Sequence, residues 1–197
     1  MKVHRIIIAT ALAAVAFSCS VDRGSLTKSE ISLINDSPQV MRVLVVGNEA
    51  DSLLLRTPCA DFRPGDIASD VYRTLAQKMV STVTSPEQDG VGIAGPQVGI
   101  SRRVIAVQRF DKEGEPFEVY PNIRIVNRGG SLKLGWEGCL SIPGRRGEVM
   151  RYTEVEVSYV NPITLRDTTE TVTDYTAVIF QHECDHLDGV LYTDHIK

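Results

Sequence analysis

The run Gln181-His182-Glu183-Cys184-Asp185-His186-Leu187-Asp188-Gly189 holds residue types that bind a metal and move a proton. On a helix, at about 100° per residue, His182 and His186 stand one turn apart on one face. Glu183 lies about 100° round from His182, within reach of a ligand on a metal held by the two imidazoles. Two neutral nitrogen ligands and a carboxylate that takes a proton from metal-activated water make up the His-Glu-x-x-His arrangement. A catalytic metal keeps three protein ligands and one open position. A downstream third ligand would complete the pattern His-Glu-x-x-His-x-x-Gly-x-x-His. Gly189 is in place, but Tyr192 stands where the last histidine belongs, and His195 comes three residues too late. The third ligand is therefore expected upstream, where Glu137-Gly138-Cys139-Leu140-Ser141 offers a thiolate.

Three stretches together resemble the three motifs of peptide deformylases. They are Gly90-Val91-Gly92-Ile93-Ala94-Gly95-Pro96-Gln97, then Glu137-Gly138-Cys139-Leu140-Ser141, then Gln181-His182-Glu183-Cys184-Asp185-His186. Order and approximate spacing agree, from about Val43 to Tyr192. The chain departs from the family at Gly95, where alanine is usual, and in its short tail, where many members carry a further helix.

The resemblance implies removal of the N-formyl group from N-formyl-methionyl peptides, with release of formate. It implies one divalent metal on Cys139, His182 and His186, ferrous iron (Fe2+) first, with nickel, cobalt or zinc as replacements. A thiolate with two imidazoles suits zinc equally well by ligand softness. Glu183 would then act as general base, and the Gln97 side chain and Leu140 backbone N–H as donors to the developing oxyanion. Val91 and Val178 would line the slot for the methionine side chain, and Gly92 would offer backbone bonds to the peptide. Glu137 and Arg146 match residues that the family pairs near the pocket mouth. Two other readings stay open: an exported metalloprotease with a different third ligand, and a formyl-peptide-binding lipoprotein without catalysis.

These residues need elements to position them. Asp174 can cap a helix carrying His182 and His186, with Gly189 ending it; Val178, four residues before His182, shares its face. Asp66 to Ser81 reads as a core-packing helix, with Ile67, Val71, Leu75, Met79 and Val80 on one face and Asp66 as its cap. Met41–Val46, Val104–Gln108, Ile123–Val126, Ser131–Leu134 and Glu154–Val160 are strand-like, the last alternating cleanly. Gly90 to Gln97 reads as a glycine-rich loop; it lacks the lysine of a phosphate-binding loop. Short connections favour antiparallel pairing. The expected fold is α+β, with small antiparallel sheets around a central metal-binding helix.

At 197 residues the chain can form one domain with a proper core, and a net charge of −4 without a basic cluster argues against a nucleic-acid partner. Four cysteines (Cys19, Cys59, Cys139, Cys184) show no disulfide-framework spacing, and Cys59 reads as a small core residue. The N-terminus has its own logic. Lys2, His4 and Arg5 precede an apolar run, Ile6 to Phe17, of signal-peptide length. Cys19 after Ala16-Phe17-Ser18 resembles a lipoprotein cleavage site, the alternative being cleavage after Ala14-Val15-Ala16. On this reading residues 1–18 are a signal peptide, 19–42 a polar tether behind a lipidated Cys19, and 43–197 the catalytic domain. The protein would sit in the cell envelope, held to the membrane by its lipid; without a working signal it would stay in the cytoplasm.

Overall fold

A computed structural model describes residues 24–196. The signal-peptide and Cys19 expectations fall outside them. The tether expectation falls partly inside, and there it fails. Thr27 opens helix α1 (Lys28–Asp36) with a reciprocal cap: its hydroxyl accepts from Glu30 N at 3.2 Å, and the Glu30 carboxylate accepts Thr27 N at 2.8 Å. The helix buries Ile34 in the core, alongside Leu26. At its far end the buried Lys78 ammonium donates to the carbonyls of Ile34 (2.5 Å) and Ser37 (2.6 Å), which satisfies acceptors a helix end leaves bare. A polar composition thus conceals a docked helix.

Met41–Val46 forms no strand. Its N–H groups instead go to partners along its path: Met41 N to Thr82 Oγ1 (2.8 Å), Leu44 N to Gln97 O (2.8 Å) and Val46 N to Ser141 O (3.0 Å). Two of those partners lie in the motif stretches, so this segment braces the site. Helix α2 (Glu49–Leu55) follows, capped by Asn48. The helix expected over 66–81 is two pieces, α3 (Pro64–Ile67) and α4 (Asp70–Val83). The break occurs because Ser69 takes the cap position, its hydroxyl accepting from Tyr72 N at 3.2 Å. The apolar face of α4 goes inward as expected, with Leu75, Met79 and Val83 fully buried.

Two three-stranded antiparallel sheets carry the remainder. The first is β1 (Gly92–Ala94), β2 (Val104–Gln108) and β3 (Phe117–Pro121), in that order. The glycine-rich stretch is therefore not simply a loop: β1 pairs with β2, Gly92 opposite Val107, and a 3-10 turn over Gly95–Val98 follows. The second sheet is β4 (Arg124–Cys139), β5 (Ile142–Val160) and β6 (Asp167–Thr173). The two strands expected at 123–126 and 131–134 fall, Ile123 apart, within β4, which runs through register shifts at Ile125/Asn127 and Gly129/Leu132.

Helix α5 (Asp174–Leu187) lies between the sheets. Ala177, Ile179, Phe180, Cys184 and Leu187 pack in one cluster with Ile105 and Val107 of β2 and Val155 and Val157 of β5. Burying each large apolar side chain of such a helix contributes about 1.5–3 kcal/mol, so α5 is among the most firmly held elements. Thr173, not Asp174, is the residue before its first turn. Gly189 ends it with φ +73°, where a Cβ would come within 2.4 Å of the Arg56 carbonyl oxygen. The α+β architecture with small antiparallel sheets round a central helix is as expected.

Candidate metal centre

The last residue of β4 is Cys139, placed by a register shift against Gly138 just before the turn into β5. That irregularity brings its sulfur to α5, with Sγ 3.2 Å from His186 Nε2. One ligand atom each from Cys139, His182 and His186 lies within 4.8 Å of the others. Around a tetrahedral ion with bonds near 2.0–2.3 Å, such atoms would be about 3.5 Å apart, so the three are gathered on the scale that a small divalent cation requires. His182 Nδ1 is bonded to Glu137 Oε2 at 2.8 Å, which leaves Nε2 for the ion. Nδ1 of His186 is buried without a hydrogen-bond partner among the described residues.

Electrostatics agree with the geometry. Burial works against a charged His182, but the Cys139 sulfur and the Glu137 carboxylate against its ring outweigh this and pull it well above its ordinary range. Positive charge is what the site lacks, and a bound cation supplies it. Burial, reinforced by the charges of His182 and Arg151, pulls His186 well below its ordinary range, and a neutral ring is the form that ligates. For Glu137, burial would raise the carboxyl, but the bonds from His182 and Arg151 hold it down at about 2.

Glu183 faces the same space from α5. Its Oε2 is buried with no partner among the described residues, and burial raises the carboxyl to about 7. Space for it depends on Gly92: a Cβ there would come 2.6 Å from Glu183 Oε1 and 2.8 Å from Ile179 Cγ2. Across the site Gln97 is fully oriented. Its Oε1 accepts Ala94 N at 2.8 Å, and its Nε2 donates to Ser141 Oγ at 3.1 Å and faces Cys139 Sγ at 3.6 Å.

A cavity of about 680 Å³ unites these groups, with Val91, Gly92, Gln97, Leu140 and Val178 in its walls beside Cys139, His182 and Glu183. His186 lies behind them. One expectation fails. Arg146 lines the cavity but does not pair with Glu137, which takes Arg151 instead, Nε to Oε1 at 2.7 Å and Nη2 to Oε2 at 3.1 Å. Strand alternation explains it. Glu137 stands opposite Gly147, and Arg151, four residues along β5, points to the same side; Arg146 stands opposite Gly138 on the other.

Sequence reasoning missed four more residues. Ser141 is the fully buried hydroxyl that orients Gln97. Asp185 binds Arg151. Tyr192 stacks on His182 with ring centroids 5.9 Å apart, and His195 reaches Asp185. Alternation along β5 was the available signal for Arg151; the others depend on tertiary placement.

The family model for polypeptide deformylase matches residues 40–197. The chain belongs to the polypeptide deformylase family. It is 36% identical over 167 residues to peptide deformylase 2 of Nostoc sp., covering 82% of this chain and 88% of that one. It is 34% identical to the peptide deformylase of Leptospira biflexa, over 80% of this chain and 88% of that one. Among solved structures, the actinonin-bound class I type b peptide deformylase of Acinetobacter baumannii superposes with a TM-score of 0.70 at 34% identity, covering 80% of this chain and 99% of that one. The peptide deformylase of Thermotoga maritima gives 0.69 at 30% identity, covering 80% and 98%. This deformylase is a metal-dependent hydrolase that removes the N-formyl group from formyl-methionyl peptides. The metalloprotease reading is thereby set aside. The family match begins after α1, so the docked N-terminal helix stands outside it.

Proposed function

We propose that this deformylase works through one divalent cation held by Cys139, His182 and His186, with Glu183 as its proton-transfer group. We propose further that it acts in the cell envelope, anchored by lipid on Cys19. The observation that carries the first part is the three ligand atoms, within 4.8 Å of one another, beside a buried carboxylate raised to about 7. A cation bound there supplies a Lewis acid and a water acidic enough to react near neutral pH. Ferrous iron is the assignment that follows from the family; the same sulfur and nitrogen donors accept zinc or nickel.

Glu183 takes the proton of the attacking water as its oxygen bonds to the formyl carbon. The charge that develops on the formyl oxygen is met by Gln97 Nε2, which the Ala94 and Ser141 bonds already aim inward, and by the Leu140 backbone N–H. Each such donor lowers the barrier by roughly 3 kcal/mol. When the carbon–nitrogen bond breaks, Glu183 passes its proton to the departing amine, and formate and a free N-terminus are released. Val91 and Val178 form the methionine slot, the Gly92 backbone bonds the peptide, and Arg146 stands at the mouth. Glu137 orients His182 rather than the peptide. The Acinetobacter baumannii enzyme has been solved with Met-Ala-Ser bound, which supports a methionine-first peptide here.

Residues 1–18 support export: a basic start, an apolar run and small residues before Cys19. No helix among the described residues is long and apolar enough to cross a membrane. In an oxidising envelope the Cys139 thiolate and ferrous iron are both at risk, which favours a reducing niche or a sturdier metal.

The first experiment is formate release from a formyl-Met peptide, with ferrous iron under anaerobic conditions. Release that needs one metal per chain supports the assignment; a metal-loaded protein that releases none returns the chain to a formyl-peptide-binding role. Fractionation tests location. We expect the protein in the envelope, with Cys19→Ala soluble or unprocessed; an uncleaved wild-type chain in the cytosol would falsify the export reading.

A further inference from the structure

A continuous chain of hydrogen bonds leads from the metal centre to the surface. His182 Nδ1 meets Glu137 Oε2 at 2.8 Å, and Arg151 grips both Glu137 oxygens. Arg151 Nη1 then reaches Asp185 Oδ2 at 2.6 Å, and His195 Nε2 reaches that same oxygen at 2.8 Å. Glu137 and Arg151 are buried, whereas the side chain of His195 is 39% exposed. His195 ends a short 3-10 turn, Tyr192–His195, that is held in place independently of this bond. Asp194 in that turn pairs with Arg56 and accepts Leu191 N, and the Tyr192 hydroxyl donates to Arg145 O at 3.0 Å. The chemistry described above leaves Asp185 and His195 without a task.

We propose that His195 is a positioning residue for the metal ligand His182, acting through Asp185, Arg151 and Glu137. The proposal rests on the metal-centre reading above. Its logic is the sharing of one oxygen. Asp185 Oδ2 has two donors converging on it, and together they fix a partly exposed carboxylate. With His195 gone, Asp185 has a single tether and can turn toward solvent. Arg151, buried and in need of acceptors, then draws more heavily on Glu137, the group that holds the ring of His182 in place. Partners behind a ligating histidine set its orientation and basicity, so a change at the surface arrives at the ion.

The test uses the full chain loaded with cobalt(II), comparing wild type with His195→Ala, His195→Phe and His195→Gln. Two readouts are followed, the visible absorption of the bound cobalt and the rate of its loss to a chelator. Removing a direct partner of a ligand weakens metal binding about 10–100-fold. Two further residues, Asp185 and Arg151, intervene here, so we expect cobalt to leave about three- to tenfold faster from the Ala and Phe variants, with a shifted absorption band. His195→Gln, whose amide can still donate to Asp185, should restore both. Wild-type release rates and spectra in the Ala and Phe variants would overturn the proposal, as would a Gln variant as defective as Phe, which would mark a packing role. Cys139→Ser runs alongside: loss of cobalt there upholds the metal centre whatever His195 does, and retention overturns both readings.

Discussion

Replacing Glu183 with glutamine should make the metal-free protein more stable while it makes the enzyme nearly inactive, and the stabilisation should depend on pH. Burial raises this carboxyl from its ordinary value near 4.5 to about 7. An acid whose folded value lies above its unfolded value favours folding while it is protonated. That contribution is complete below about 4.5 and is lost as pH rises through about 7. By pH 8 the metal-free wild type carries a penalty of about 3 kcal/mol from this one side chain. Glutamine has the same shape and no charge to bury. It still leaves a polar group short of partners, at about 1 kcal/mol, so a net gain of about 2 kcal/mol is expected at pH 8. For a domain of this size that is about 4–8 °C in Tm, shrinking toward zero by pH 5. Metal is removed for the measurement because a cation at the neighbouring ligands would favour the carboxylate and cancel the effect. Thermal melts of chelator-treated wild type and Glu183→Gln at the two pH values read it directly. A difference that is the same at both, or a variant less stable at pH 8, would refute the burial argument. The loaded variant should keep its metal and lose at least about a hundredfold in turnover; full activity would move the proton-transfer role elsewhere.

Cys139→Ser should abolish tight metal binding, whereas Cys184→Ser should keep it, because Cys184 points into the core and burial pushes its thiol up to about 12; equal loss of metal in both would defeat the ligand assignment. Gly92→Ala should lower turnover at least about tenfold with metal content intact, since its Cβ would displace Glu183; an unimpaired variant would show that the carboxylate tolerates the shift. Glu30→Gln should loosen α1 by about 3 kcal/mol, the scale of breaking a buried pair, because both Glu30 oxygens bind Arg102, at 2.7 and 2.8 Å. Amide exchange across residues 28–36 should then rise about a hundredfold without loss of metal, and unchanged protection would mean that packing alone holds the helix. Burial would raise the Glu30 carboxyl, but the Arg102 and Thr27 bonds hold it below its usual range. Docking of α1 is therefore firmest above the ordinary carboxylate range and weakens as pH falls through it.

What the sequence exposes of this site follows the reach of local geometry. His182 and His186 are legible because a helix repeats every turn, and Glu183 because it is their neighbour. Cys139 is legible through the resemblance that its motif, Glu137 to Ser141, carries. Arg151 becomes legible once the register is known: Glu137 stands opposite Gly147, and alternation along β5 then puts Arg151 on the same side, but no local pattern sets that register. Strands expected separately at 123–126 and 131–134 are joined because β4 runs on through Gly129 and Gly130, the latter at φ +68°. Strand β1 is only three residues long and buried throughout, so it has no alternation to detect; it exists because β2 lies beside it. In α4, Asp66 and Ser69 are both good caps, and the choice of Ser69 leaves the earlier one to a separate turn.

The N-terminal segment misleads for a related reason, and its true state bears on where the enzyme works. Gly24 to Ser37 has the serines, asparagine and aspartate of a linker, but Arg102, buried and 78 residues along the chain from Gly24, ties it down. Arg102 donates to the carbonyls of Gly24 (2.5 Å) and Ser25 (2.9 Å) as well as to Glu30. The chain is therefore already docked on the domain at Gly24, well before Val43. Only Ser20, Val21, Asp22 and Arg23 separate Cys19 from that point. Fully extended, such a span covers at most about 18 Å. A lipid on Cys19 would thus hold the Arg102 end of the domain close against the bilayer, where a free twenty-residue tether would let the enzyme range several times further. Formylated peptides would then have to reach an active site held near the membrane surface.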